Sequence, residues 1–249
     1  MINWLKSLFS SPKPLEPADL SVLKADMHSH LIPAIDDGSK SLENSLEMIR
    51  RFSALGYKKL ITTPHVMSDF YKNDPESILG GLEKLNTYLK EKGLDVKVEA
   101  AAEYYLDEQL QDLVEAEKLL TFGDKHVLFE LPFIAEPPNL KQVIFEMQTR
   151  GYKPILAHPE RYGFWYKDFD RYRELHDQGV FLQLNMLSLI GHYSPQAQKI
   201  AEQMIDEGII SFLGSDCHNT HHLELIDEAR TRPYFHKLLE SGDLKNSSL

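Results

Sequence analysis

At 249 residues, 42% of them apolar and 26% charged, the chain has the makeup of an ordinary soluble globular protein, one large domain or two small ones. No run approaches the roughly 18 consecutive apolar residues of a membrane span, and a formal charge of −11 argues against a general nucleic-acid binder, which would carry a basic face. A single cysteine, Cys217, rules out an internal disulfide framework and suits a reducing cytoplasm; because Leu223 stands where a cysteine-phosphatase loop needs arginine, that chemistry is excluded too.

The chain starts with "MINWLKSLFSSPKPLEP", a short amphipathic turn and a proline-punctuated stretch. Lys6 breaks the apolar run and no small-residue cleavage site follows, so residues 1–20 read as an N-terminal arm rather than a secretory signal. Trp4, Leu5, Leu8 and Phe9 pack loosely on the body in this reading, with peripheral membrane contact the weaker alternative. No linker divides residues 21–249, which read as a single domain.

The first strand, "VLKADMH", runs into "SHLIPAIDDG". His28 and His30 share one face of an extended segment, because side chains at i and i+2 point the same way. Two imidazoles aimed at one point are poor core residues and a good half-site for a metal. Asp36 and Asp37 precede Gly38; a turn accounts for Asp36, while Asp37 joins the candidate ligands. After a helix over "SLENSLEMIRRFSALG", the strand "KKLITT" leads to His65 in "TTPH". The helix "PESILGGLEKLNTYLKEKG" precedes "VKVEAAAEYYL", where Glu103 lies late in the strand, and "DEQLQDLVEAEKLL" precedes "HVLFELP", where Glu130 does. Then "NLKQVIFEMQTRG" leads to "KPILAHP", ending on His158 with Arg161 just beyond, and "DFDRYRELHDQG" leads to "VFLQLN", which offers only Asn185. The helix "SPQAQKIAEQMIDEG" precedes "IISFLGSD", ending on Asp216 with His218 two residues on. One helix is expected across "HHLELIDEARTRPYFHKLLESG". Gly56, Gly93, Gly151, Gly179 and Gly208 mark helix ends.

Seven strand–helix units in alternation predict an α/β protein with a parallel sheet, either open and doubly wound or closed into a barrel. In both, ligands bind beyond the carboxyl ends of the strands. The polar residues fall there repeatedly, including five of the eleven histidines. Imidazole and carboxylate donors without cysteine suit manganese, iron or zinc. Nine candidates (His28, His30, Asp37, His65, Glu103, Glu130, His158, Asp216 and His218) exceed what one ion can use. A bridging carboxylate such as Glu103 would hold two ions about 3.5–4 Å apart, so two or three ions per chain are expected. Cys217 alternates with Asp216 and His218 and reads as a packing residue. Tyr104, Tyr105, Tyr162, Phe164, Trp165 and Tyr166 are placed near the proposed mouth, either to stack on a substrate ring or as loop packing.

"DMHSHLIPAIDDG", "TTPH", "AAEYYL", "AHPERY" and "GSDCHN" together resemble the PHP superfamily (polymerase and histidinol phosphatase). Within it they resemble the bacterial manganese-dependent tyrosine phosphatases of capsule and exopolysaccharide loci. The resemblance covers roughly residues 22 to 240. It implies a distorted seven-stranded TIM-like β/α barrel, the PHP fold, with the metals at the C-terminal ends of the strands. It implies three sites: His28, His30, Glu103 and Asp216; Glu103 bridging to Glu130 and His158; and Asp37, His65 and His218. Mn²⁺ is the metal it favours, with Fe or Zn next. Arg161 would contact the substrate phosphate. A further arginine, common in that branch soon after "SDxH", is missing from "NTHHLELIDEAR". The implied activity is hydrolysis of protein phosphotyrosine by a hydroxide generated at the metals, on the tail of a bacterial tyrosine kinase that controls polysaccharide export, in the cytoplasm. His218 is a second-choice proton donor, available only if it is not a ligand. The alternatives are a histidinol-phosphate phosphatase and a non-catalytic metal-binding scaffold.

Overall fold

The computed structural model describes residues 15–249. Residues 1–14 of the expected arm, with Trp4, Leu5, Leu8 and Phe9, lie outside them. The end of the arm is tied to the body: Leu15 N donates to Thr231 O and Ala18 N to Arg230 O. No helix among the described residues is long and apolar enough to cross a membrane.

The strands are β1 (Ala25–Asp26), β2 (Lys59–Thr62), β3 (His65–Val66), β4 (Lys97–Ala100), β5 (Glu103–Tyr105), β6 (His126–Glu130), β7 (Lys153–Ala157), β8 (Phe181–Asn185) and β9 (Phe212–Gly214). They form two parallel sheets, ordered β1-β2-β4 and β3-β5-β6-β7-β8-β9. Two of the seven expected strands are thus split in two. Pro64, which has no N–H to donate, interrupts the second, and Ala101–Ala102 interrupt the third alongside it. Hydrogen bonds still cross the break, Ala101 N to Thr62 O at 2.9 Å and Glu103 N to Pro64 O at 3.1 Å. The first strand is shorter than expected, because Asp19 accepts from Ser21 N and starts a 3₁₀ turn over Leu20–Leu23.

The edges of the two sheets meet where β1 passes β9. Asp216 N donates to His28 O at 2.8 Å and His30 N to Cys217 O at 3.0 Å. At the opposite end, the buried Asn246 amide donates to Ala25 O and Leu213 O and accepts from Leu213 N. The outermost ligand candidates in sequence are thereby brought side by side.

The helices are α1 (Leu42–Ala54), α2 (Pro75–Glu91), α3 (Glu108–Glu115), α4 (Leu140–Thr149), α5 (Asp170–Asp177), α6 (Pro195–Asp206), α7 (Thr220–Ala229) and α8 (Pro233–Glu240). Ser41, Asp74, Asp107, Ser194 and Asn219 cap five of them by accepting from a first-turn N–H. The single helix expected at the end of the chain is two. Pro233 cannot continue α7, and Arg232 before it is extended, as a residue preceding proline prefers. The helix expected through Leu120 stops at Glu115, where Glu117 turns left-handed at φ +54°.

Alternation along the strands divides the core. Leu128, Ile155, Ala157 and Phe212 join Met27, Ile61, Ala101 and Phe122 in a small inner cluster. Their neighbours Val127, Phe129, Leu156 and Leu213 point the other way, into the large cluster packed against the helices. Cys217 belongs to that large cluster and is fully buried, a packing residue.

Candidate metal centre

All nine expected ligands converge beyond the strand ends. The donor atoms of eight of them form three overlapping groups, each with its atoms within 4.8 Å of one another: His28, His30, Glu103 and Asp216; His65, Glu103 and Glu130; and His30, Asp37, His65 and His218. Glu103 is fully buried at the centre. Its Oε2 stands 3.1 Å from both His28 Nε2 and His65 Nδ1, and its Oε1 stands 3.0 Å from His158 Nε2. His158 Nε2 is 3.9 Å from Glu130 Oε2, so it neighbours both carboxylates, although the compact group around Glu103 and Glu130 takes His65 in its place. His65 turns one nitrogen to that group and the other to Asp37, at 3.5 Å.

The tautomers favour a cation. Gln183 Oε1 lies 2.9 Å from His28 Nδ1, and an amide oxygen only accepts, so His28 keeps its proton there and presents a bare Nε2. The amide orientation is set by its other bonds: Oε1 accepts from His158 N and Nε2 donates to Leu184 O. Asp36 Oδ2 likewise accepts from His30 Nδ1 at 2.7 Å, and the Asp216 carbonyl from His218 Nδ1 at 2.9 Å. His28 Nε2 and His30 Nε2 then face each other at 3.4 Å with no proton between neutral rings. Two lone pairs at that distance repel unless a positive charge sits among them. Outer acceptors that fix ring orientation in this way accompany metal-bound histidines generally.

Electrostatics say the same. Burial alone would strip the proton from His28, yet Glu103 and Asp216 raise its pKa to about 9. Burial would raise Glu103 and Asp216, but the surrounding imidazoles push both well below the usual carboxylate range. Without metal, protons are drawn to the positions a divalent ion would take. The donors present therefore fit hard or borderline divalent cations such as manganese, iron or zinc.

The local backbone around these residues is tightly constrained. His158 and Asp216 sit at φ +35° and +48°, left-handed conformations that a non-glycine residue adopts only when its surroundings hold it there. Gly38 is required by contact: a Cβ would lie 2.3 Å from His30 Cβ, so only glycine lets the Asp36–Asp37 loop close over His30.

Six of the nine candidates (Asp37, His65, Glu130, His158, Asp216 and His218) open onto a cavity of about 260 Å³, shared with Arg161 and an apolar side of Met67, Tyr71 and Phe133. His28, His30 and Glu103 lie beneath it, fully buried. Arg161 Nη1 donates to Asp216 Oδ2 at 2.8 Å, and its guanidinium lies 4.1 Å from the Tyr193 ring centre and 5.0 Å from that of Phe133. It does not pair with Glu160. That buried carboxyl, raised by burial to about 7, instead accepts from Ser188 Oγ and Asn185 N. Asn185 in turn donates to Asp216 Oδ2 at 3.0 Å.

Some expectations need correction. Asp36 does more than make a turn: besides accepting from Gly38 N, it holds His30 and accepts from His65 N. Its carboxyl is driven down to about 2, with His30 overcoming the effect of burial. Gln183 also escaped the sequence reading; its one signal was a polar residue within the apolar run "VFLQLN". Tyr104, Tyr162 and Trp165 are buried in the core and do not line the mouth, while Tyr105, Phe164 and Tyr166 are absent from the cavity wall. Arg230 does not replace the missing arginine, since it contacts Ala18 O and Asp227 away from the cavity. His218, with Nδ1 committed to a carbonyl, presents a bare Nε2 towards Asp37 at 3.3 Å, which suits a ligand better than an acid.

Because Asp36 fixes the His30 ring, Asp36→Asn is expected to weaken metal binding about 10–100-fold while leaving the fold intact. Titration of Mn²⁺ against a competing chelator checks this; unchanged affinity would reduce Asp36 to a loop residue.

Parallel sheets with a convergent histidine–carboxylate centre above their strand ends define an α/β protein built around a candidate multinuclear metal site. The family model described as capsular polysaccharide synthesis, CpsB/CapC, matches residues 24–229, and the chain belongs to that family. It is 30% identical over 195 residues to the tyrosine-protein phosphatase YwqE of Bacillus subtilis, covering 78% of this chain and 77% of that one. It is 28% identical over 232 residues to the CapC protein of Staphylococcus aureus, covering 90% and 89%. Among solved structures, it superposes with TM-score 0.74 and 27% identity on a chain from the crystallography of B. subtilis YwqE and Streptococcus pneumoniae CpsB, metal-dependent tyrosine phosphatases; 86% of this chain and 84% of that one are covered.

Proposed function

We propose that this protein is a metal-dependent phosphatase acting on phosphotyrosine in proteins, with Mn²⁺ as its metal and the tail of a tyrosine kinase of the polysaccharide-export system as its substrate. One observation carries the reading: three overlapping donor groups, two of them sharing Glu103, lie beneath a cavity whose lining includes a single arginine. We read residues 21–249 as one domain and the two sheets as one distorted seven-stranded barrel. The contacts joining β1 to β9 and the continuity of hydrogen bonding across the Pro64 break support this.

In this reading His28, His30, Glu103 and Asp216 hold one ion; Glu130 and His158 hold a second with Glu103; Asp37, His65 and His218 hold a third. Such ions lower the pKa of water from 15.7 to about 7 and neutralise phosphoryl oxygens. Arg161, already aimed by Asp216, offers its remaining N–H groups to the phosphate and offsets charge on the equatorial oxygens. A phenolate leaves with a conjugate pKa near 10, so an aryl ester needs little acid assistance, and none of the groups here is assigned that task.

The test is phosphate release from a phosphotyrosine peptide and from histidinol phosphate, after chelation and after Mn²⁺ is restored. Release from the peptide that stops on chelation and returns with Mn²⁺ is expected. Release from histidinol phosphate alone would move the activity to small alkyl phosphates, and bound metal without release from either would favour a scaffold.

A further inference from the structure

Two exposed or half-exposed aromatic side chains, Tyr71 and Phe133, line the cavity. Tyr71 lies on the loop after β3 and stacks on His65, with ring centres 5.5 Å apart and planes 15° from parallel. Phe133 lies on the loop after β6, is 46% exposed, and stacks on His158 at 6.0 Å and 18°. Those two imidazoles face the two oxygens of Glu103. Each aromatic ring therefore extends outward a stack that begins beside the central carboxylate.

Both loops are held in place. Asp107 accepts from Ser68 N, and Asn73 donates to the carbonyls of Ile35 and His65, so the segment carrying Tyr71 is pinned at both ends. On the other side the Tyr162 hydroxyl accepts from Leu131 N, and Glu136 accepts from Trp165 Nε1 and pairs with Arg171. The buried aromatics that do not reach the mouth thus brace the loop that does.

We propose that Tyr71 and Phe133 are the walls of a slot for the aryl ring of the substrate, and that they make the site prefer aryl over alkyl phosphates. This rests on the phosphatase reading and names the feature that selects its substrate. A flat ring entering a preset pair of aromatic faces gains stacking without ordering any side chain, whereas an alkyl chain gains only contact area. Arg161, with its guanidinium 5.0 Å from the centre of the same Phe133 ring and in the same cavity wall, sets the phosphate contact beside the slot.

The test compares binding of phenylphosphonate and methylphosphonate to the Mn²⁺-loaded protein by calorimetry, with phosphate release from a phosphotyrosine peptide measured in parallel. Phe133→Leu and Tyr71→Leu should each weaken phenylphosphonate by about five- to tenfold and leave methylphosphonate within twofold. Phe133→Tyr and Tyr71→Phe should retain the preference. The slot is overturned if the wild type has no phenyl preference, or if the preference survives in the double Leu variant, or if both phosphonates weaken alike. The two readings separate cleanly: a phenyl preference that depends on Tyr71 and Phe133, without peptide hydrolysis, upholds the slot and sinks the phosphatase. Peptide hydrolysis with no effect of either Leu variant does the reverse.

Discussion

Glu103→Gln should reduce phosphate release from a phosphotyrosine peptide on the order of 10³-fold and remove at least one Mn²⁺ from the loaded protein. The substitution keeps the size of a side chain that is fully buried, so the strand should still form. What changes is charge. Glu103 Oε2 accepts no hydrogen bond among the described residues, although two imidazole nitrogens stand at 3.1 Å. That is an oxygen arranged for cations. An amide there offers one neutral oxygen and one N–H group, which would point a proton at bare imidazole lone pairs. A divalent ion contributes several kcal/mol to charge stabilisation in the transition state, and each 1.36 kcal/mol is tenfold in rate. Metal analysis beside single-turnover rates checks the prediction. A variant with its full metal content and activity within tenfold of wild type would show that Glu103 only braces the histidines around it.

The second large effect is expected from Arg161→Ala, with kcat/KM falling about 10²–10³-fold, the usual consequence of removing one preorganised donor from developing charge. Burial works against the guanidinium, but Asp216 more than restores its charge, so it stays a cation throughout the working pH range. Its loss should barely disturb the metal centre, because Asp216 Oδ2 keeps the Asn185 amide as a donor. Unaltered Mn²⁺ affinity with lost turnover is therefore the expected pattern. Arg161→Lys should recover little, since a point charge cannot reproduce the fork. If metal affinity collapses together with rate, Arg161 is a brace for Asp216 and not a phosphate contact.

Much of this centre was legible in the sequence because its donors lie at the ends of separate strands, where a polar residue interrupts an apolar run. His28 and His30 at i and i+2 needed only strand geometry to be paired. What stayed hidden follows from long-range contact. Asp36 looked like half of an Asp–Asp–Gly turn, and it does bond Gly38 N, but the same carboxylate also reaches back to His30. Gln183 is 155 residues from the ring it orients. Nothing local distinguishes either from a turn former or a stray strand amide. The aromatic run after His158 misled for a related reason: "YGFWY" has the composition of a mouth, while Tyr162 and Trp165 are turned inward by their bonds to Leu131 and Glu136. Tyr71 and Phe133 stand alone in loops with no pattern around them. The breaks in the strands at Pro64 and in the last helix at Pro233 were written in the sequence, and proline chemistry accounts for both.

Asn246, bonded to β1 and β9 at once, bears on how the molecule is born. β1 has one of its neighbours supplied from far along the chain, Asp26 meeting Ser215 at a separation of 189 residues, and the residue clipping the two strands together is later still. Contacts between such distant parts of a chain form slowly, since much entropy is lost before they are rewarded. His28 and His30 therefore stand beside Asp216 only once this long-range contact has closed. In the reading proposed above, the metal centre can be complete only after β1 and β9 have met.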